Sequence, residues 1–251
     1  MICLTIDIGN TSTSFCFFLE NKIIGFSRIP IQKISERSVK NILKKFWKKH
    51  ITLKIIISSV VPKINDFFRK LLNKLNVEYF FFQQVKDNFN FHTNIINKST
   101  IGDDRLINIF YAKELYVRSV VIVDFGTATT FDVLDKFGVY DGGLITPGIQ
   151  MSLLTLKQKT AKLPLVNFKN TKNVVGYTTK QAIESGFFWG YVSMVDGLIK
   201  KIEKEKSTKF KIILTGGYSK HFQKLLKNVL LIDEFFTSKG LNFFLRKYLK
   251  L

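Results

Sequence analysis

Short apolar runs, each closed by a polar or glycine-containing turn, punctuate the first half of the chain. Residues 2–7, 12–19, 23–28 and 53–60 read as strands. Between the third and fourth, Val39, Ile42, Leu43, Phe46 and Trp47 fall at helical spacing, so a helix is predicted from Ser35 to His50 with Ser35 as its N-cap. After Pro62, the apolar positions Ile64, Phe67, Phe68, Leu71, Leu72 and Leu75 mark a second helix. Val77 to Phe82 reads as a strand, residues 83–101 as polar and irregular, and Asp104 to Tyr116 as a helix. The second half repeats the plan. Strands are predicted at 119–124, 129–134 and 139–145, and Pro147 suits the first turn of a helix reaching Ala161. A loop at 164–177 precedes a long helix from Thr178 to Glu203. Phe210 to Leu214 is a strand broken by Gly216-Gly217, followed by a helix, a strand at Val229 to Ile232 and a terminal helix. Hairpin strands first, then strands alternating with helices, imply an α/β chain with a mixed sheet flanked by helices in each half. The halves are expected at 1–115 and 116–251, with no Pro/Gly-rich linker between them.

The halves share more than element order. Ile6-Asp7-Ile8-Gly9-Asn10-Thr11-Ser12-Thr13 follows the first strand, and Val123-Asp124-Phe125-Gly126-Thr127-Ala128-Thr129-Thr130 follows the strand that opens the second half. In each, a buried strand ends in aspartate, turns at glycine and continues into hydroxyl side chains. Asp-x-Gly alone is an ordinary strand-to-turn signal. The same signal twice, in register, points to a duplicated domain with two loops facing one cleft. An aspartate there can hold a cation directly or through water. Glycine admits close approach of a ligand, and successive N–H groups and hydroxyls make an anion site. Two such loops suit the phosphates of a nucleotide and its metal.

Length and composition narrow the class. The 251 residues are 46% hydrophobic, enough for a sizeable core and too apolar for a disordered chain. Asp7 interrupts the first apolar run, so no secretory leader is expected, and no apolar stretch reaches the roughly 18 residues of a membrane span. Cys3 and Cys16 match neither a zinc nor a disulfide pattern and read as small buried hydrophobes in a reducing cytoplasm. His50, His92 and His221 are scattered. The net charge of +20 invites a nucleic-acid reading, but the lysines are spread over helix faces, so no specific nucleic-acid partner is expected. Neither a Walker P-loop nor a dinucleotide Gly-x-Gly-x-x-Gly is present.

Gly102-Asp103-Asp104-Arg105 brings the remaining chemistry together. A carboxylate can accept the proton of an attacking hydroxyl, and a neighbouring arginine can clamp a substrate carboxylate. An acidic helix start would look the same. Further segments are Ser58-Ser59-Val60-Val61-Pro62, Gly142-Gly143-Leu144-Ile145-Thr146-Pro147-Gly148, Thr160-Ala161-Lys162-Leu163-Pro164, Thr178-Thr179 and Leu214-Thr215-Gly216-Gly217. With the two Asp-x-Gly loops, these make the chain resemble the bacterial type III pantothenate kinases of the actin, Hsp70 and sugar-kinase superfamily.

The resemblance implies two ribonuclease H-like, actin-like ATPase domains with a cleft between them. It also implies transfer of the ATP γ-phosphate to pantothenate, the first step toward coenzyme A. By the same resemblance, Asp7, Ile8, Gly9, Asn10, Thr11, Ser12, Thr13 and Ser14 hold ATP phosphates, with Asp7 near magnesium. Asp124 binds a monovalent cation, potassium or ammonium, and Thr127 contacts ATP. Asp104 is the base. Gly102, Asp103, Asp104, Arg105 and Thr179 form the pantothenate side, Thr179 doubling as part of a helix start. A cytoplasmic homodimer is implied, with the long second-half helix near its interface. Two positions depart from the family pattern: Asp103 stands where alanine is usual, and Ile95, Ile96, Asn97 and Lys98 stand where the family has Tyr-x-Asn-Pro. These departures suggest an alternative, a catalytically degenerate paralogue acting as a regulatory or binding protein.

Overall fold

The computed structural model describes residues 1–89, 92–96, 100–116 and 118–251. Two compact units emerge. One comprises residues 1–91, 96–111 and 236–251, the other 92–95 and 112–235. Asn97 and Lys98, half of the segment aligned with Tyr-x-Asn-Pro, lie outside the described residues.

The first unit is built on a five-stranded sheet with the order β3-β2-β1-β4-β5. β1 (Ile2–Ile8), β2 (Ser12–Leu19) and β3 (Lys22–Pro30) form an antiparallel meander, while β4 (Leu53–Ser59) and β5 (Glu78–Phe81) add in parallel on the other side of β1. β1 is therefore central, and Ile2, Leu4, Ile6 and Ile8 are buried in one cluster with Phe15, Phe17, Ile55, Ile57 and Phe68. α1 (Glu36–Phe46) and α2 (Pro62–Lys74) supply Val39, Leu43, Phe68, Leu71 and Leu72 to this cluster. Ser35 caps α1 as expected, its hydroxyl accepting from Ser38 N at 3.2 Å. Within the stretch read as irregular, α3 (Phe82–Val85) forms a single turn that buries Phe82 and Val85. α4 (Asp103–Leu115) matches its predicted span to within one residue.

The second unit repeats the arrangement with the order β10-β9-β6-β7-β8. β6 (Val120–Phe125) is central, flanked by antiparallel β7 (Ala128–Leu134) and β8 (Tyr140–Pro147) and by parallel β9 (Lys211–Thr215) and β10 (Val229–Ile232). α5 (Ile149–Gln158) and the long α6 (Thr179–Glu205) pack on it through Ile149, Leu153, Phe188, Tyr191, Val195 and Ile199. Two expectations change here. Pro147 ends β8 instead of opening a helix. It pairs opposite Ala128 on an edge strand, where the missing N–H costs no ladder bond, and α5 starts after Gly148. The helix expected after Gly216-Gly217 is a 3₁₀ turn at Ser219–Phe222.

The terminal helix, α7 (Phe236–Tyr248), packs against β1 and β4 of the first unit. Phe244 is fully buried, its ring 4.8 Å from Phe82, 4.5 Å from Phe89 and 4.4 Å from Phe110. The chain thus returns at its end to the sheet that its first residues begin. Among the described residues no helix is long and apolar enough to cross a membrane.

Candidate active site

Pairing in the first sheet lines up a row of polar side chains. Asp7 on β1 stands opposite Ser14 on β2 and Ser58 on β4, and Ser14 stands opposite Arg28 on β3. Directly paired residues share a sheet face, so Arg28, Ser14, Asp7 and Ser58 form one row across these strands. Ser14 and Ser58 are buried, and Arg28 Nε donates to Ser14 Oγ at 3.1 Å. The row sits beside the β1–β2 turn, which closes when Gly9 N donates to Ser12 O at 3.0 Å. Asn10 and Thr11 are exposed at its tip, and Thr13 Oγ1 is buried with no hydrogen-bond partner among the described residues.

The start of α4 joins this row. Gly102 precedes the helix, and a Cβ at that position would lie 2.6 Å from Asp104 Oδ1, so any side chain would displace the carboxylate. Asp104 Oδ1 also accepts from Arg105 N at 2.8 Å, which turns it back over the helix start. Asp103 points inward and is only 4% exposed. The Gln83 side chain and the Ser59 backbone donate to it, and Lys86 lies close by, so Asp103 ties α4 to the end of β4 and to the α3 turn.

These placements crowd the carboxylates. Burial first, and the Asp104 charge second, push the Asp7 carboxyl up to about 7, against the opposing pull of the Ser58 hydroxyl and Arg28. Burial likewise raises Asp103 to about 6, partly offset by Lys86 and Gln83. Asp103 and Asp104, distant from Asp7 in the sequence, thus come close to it within the first unit. Arg28, Ser58, Gln83 and Lys86 were not foreseen as neighbours of these carboxylates.

The second unit carries the other loop. Asp124 on β6 stands opposite Thr130 on β7 and Thr215 on β9, and Thr130 stands opposite Ile145 on β8. Gly126 N donates to Ala128 O at 3.1 Å, a turn one residue shorter than its counterpart. Gly216 has φ of +84°, and a Cβ there would lie 2.5 Å from Asp124 Oδ1 and 2.7 Å from Phe125 O. Glycine is therefore required twice over, for its backbone conformation and for its bareness beside the carboxylate. Thr129 Oγ1 and Thr215 Oγ1 are buried without a hydrogen-bond partner among the described residues, and Thr127 is exposed. Thr178 caps α6, accepting from Gln181 N at 3.2 Å, and Thr179 is its exposed first residue.

Among the described residues, no group of three or more His, Cys, Asp or Glu side chains is placed to hold a metal ion. Magnesium that arrives with phosphates needs no such cage: one or two carboxylates, phosphate oxygens and water suffice. The donor set at Asp7 and Asp104 fits that mode, because a buried carboxylate facing a second one is relieved by a cation.

Comparison with known proteins identifies the family. A model of the type III pantothenate kinase family matches residues 3–201. The type III pantothenate kinase of Pelagibacter ubique is 38% identical over 94% of this chain and 95% of its own length. That of a Sulfurihydrogenibium species is 38% identical over 98% of this chain and 99% of its own. In fold, the chain is similar to the activator of the 2-hydroxyisocaproyl-CoA dehydratase from Clostridium difficile. The TM-score is 0.53 at 9% identity, covering 100% of this chain and 96% of that one. The fold is that of the sugar kinases and actin-like ATPases. The chain belongs to the type III pantothenate kinase family.

Proposed function

We propose that this chain transfers the γ-phosphoryl group of ATP to the primary hydroxyl of pantothenate, opening coenzyme A synthesis in the cytoplasm. The observation that carries the reading is the placement of Asp104, at the start of α4, beside Asp7 at the end of β1. Phosphoryl transfer asks the protein for position and charge, and for little covalent chemistry. Asp104 orients the hydroxyl and takes its proton as the new O–P bond forms and the bond from γ-phosphorus to the bridging oxygen breaks, so that ADP leaves. Gly102 gives the Asp104 carboxylate the space it needs. Arg105 pairs with the pantothenate carboxylate, and Thr179 contacts the same substrate. Asp103 acts from inside, holding the helix start through Gln83 and Ser59. The backbone and hydroxyls of Ile8, Gly9, Asn10, Thr11, Ser12, Thr13 and Ser14 hold the phosphates. Magnesium, held by Asp7, supplies charge neutralisation when bound.

Asp124 holds potassium or ammonium, and Thr127 contacts ATP. The partnerless buried hydroxyl of Thr215, paired directly opposite Asp124, supports a cation there, since it can offer an oxygen. A homodimer is supported by α6. A Cβ at Gly186, Gly190 or Gly197 would meet nothing within 4 Å, so the packing of this chain alone does not require these glycines. A second helix could approach closely along them.

Asp104→Asn should lower kcat by about 10²- to 10⁴-fold in an assay of ADP release with ATP and pantothenate, while nucleotide affinity stays within a few-fold of wild type. Near-full turnover would remove Asp104 from the role of base.

The raised carboxylates also set how stability varies with pH. Asp7 binds its proton more tightly folded than unfolded, so stability falls as pH rises from the ordinary value of 3.8 to about 7. The cost is absent below that window and complete above it. Asp7→Asn should therefore gain on wild type as pH rises. Because the side chain keeps some solvent contact, we expect ~1–2 kcal/mol at pH 8, a melting temperature about 2–8 °C higher. Superimposable melting curves from pH 4 to pH 8 would contradict the crowding at Asp7.

Light scattering should give twice the 29.0 kDa chain mass, and Gly190→Lys should return the monomer with an unchanged melting temperature. A wild-type monomer at micromolar concentration would rule out the pairing.

A further inference from the structure

We propose that Arg28 is the protein's own cation for the nucleotide phosphates. This deepens the kinase reading above and rests on it.

Arg28 is placed by register. It stands in the same cross-strand row as Asp7, with Ser14 between them. Its Nε donates to Ser14 Oγ at 3.1 Å, which fixes the guanidinium beside the first phosphate loop. The Phe26 ring lies under it, 5.5 Å from Cζ to centroid. Its charge reaches Asp7, where it opposes the rise in proton affinity. Arg28 is nevertheless exposed, and among the described residues its terminal amino groups have no hydrogen-bond or ion-pair partner. One edge of the fork is used for positioning. The other is presented to solvent at the loop.

The repeated architecture provides an internal control. Row for row, Arg28, Ser14, Asp7 and Ser58 correspond to Ile145, Thr130, Asp124 and Thr215. The second unit builds the same strand order and a closely similar turn with an exposed isoleucine where the first has arginine. The fold therefore does not need a cation at this position. The site that gathers Asp7 and Asp104 does, because phosphate oxygens entering beside two carboxylates meet repulsion unless fixed positive charge is close. A guanidinium suits that task, since it stays charged and its planar fork matches phosphate oxygens. The chain has no Walker lysine to do it.

The test uses the full chain and a non-hydrolysable ATP analogue with magnesium, its affinity measured by calorimetry for wild type, Arg28→Ala and Arg28→Lys. Arg28→Ala should bind the analogue ~10- to 100-fold more weakly and lose a similar factor in kcat/KM for ATP. Its KM for pantothenate and its melting temperature should stay near wild type, and Arg28→Lys should recover part of the loss. Unchanged nucleotide affinity in Arg28→Ala would overturn the proposal. So would a loss explained by a melting temperature many degrees lower, which would make Arg28 an anchor for β3. If wild type binds nucleotide but leaves pantothenate unphosphorylated, and Arg28→Ala still loses affinity, the proposal stands and the acceptor assignment fails. If wild type binds no nucleotide, both fail.

Discussion

Carboxylates buried side by side govern the site of the first unit. Asp7 ends a strand whose other residues are almost wholly buried, and the start of α4 brings Asp104 and Asp103 against it. Burial above all, with the neighbouring charges behind it, makes Asp7 and Asp103 hold protons to higher pH than free aspartates do, unless a cation shares the space. Each neighbouring feature answers this crowding. Ser58 and Arg28 favour the charged form of Asp7, Gln83 and Lys86 do the same for Asp103, and the Arg105 N–H steadies Asp104. What remains is an acidic site with room at an exposed glycine turn. In the proposed reaction a metal-bound triphosphate would bring the cation, and an alcohol the proton for Asp104 to accept.

The duplicated plan explains how one chain makes two related but unequal loops. In both units the central strand ends in aspartate, pairs in parallel with a strand bearing Ser58 or Thr215, and pairs antiparallel with one bearing Ser14 or Thr130. The turns differ by one residue, and the edge position differs in chemistry, arginine in one and isoleucine in the other. Asp124 has the bare backbone of Gly216 against its carboxylate, whereas Asp7 has the acidic start of a helix. The same strand-end aspartate therefore works in two electrostatic settings.

Local signals carried much of this into the sequence. Apolar runs ending in Asp-x-Gly located β1 and β6, Ser35 announced the start of α1, and the spacing of Phe67, Phe68, Leu71 and Leu72 announced α2. Resemblance supplied the roles, since Asp104 by spacing alone is an acidic helix start. Features decided by pairing partners stayed out of sight. Pro147 looked like a helix opener because its edge-strand location depends on the sheet order. Arg28 is one of many cations in a basic chain until β2–β3 register, including the shift near Phe17 and Phe18, sets it opposite Ser14. Gln83 and Lys86 lay in a stretch read as irregular, and their value comes from Asp103, distant in sequence. The docking of α7 on β1 joins the two ends of the chain, which no local window can reveal.

The central claim, that the Asp7–Asp104 edge is where phosphate meets alcohol, is tested most directly by a crystal structure. The full chain would be crystallised with magnesium, a non-hydrolysable ATP analogue and pantothenate. The account predicts the terminal phosphate at the Gly9–Ser14 loop with the metal facing Asp7. It also predicts the pantothenate primary hydroxyl within hydrogen-bond distance of Asp104. Phosphates seated away from the Asp7 row, or a pantothenate hydroxyl turned away from Asp104, would contradict it.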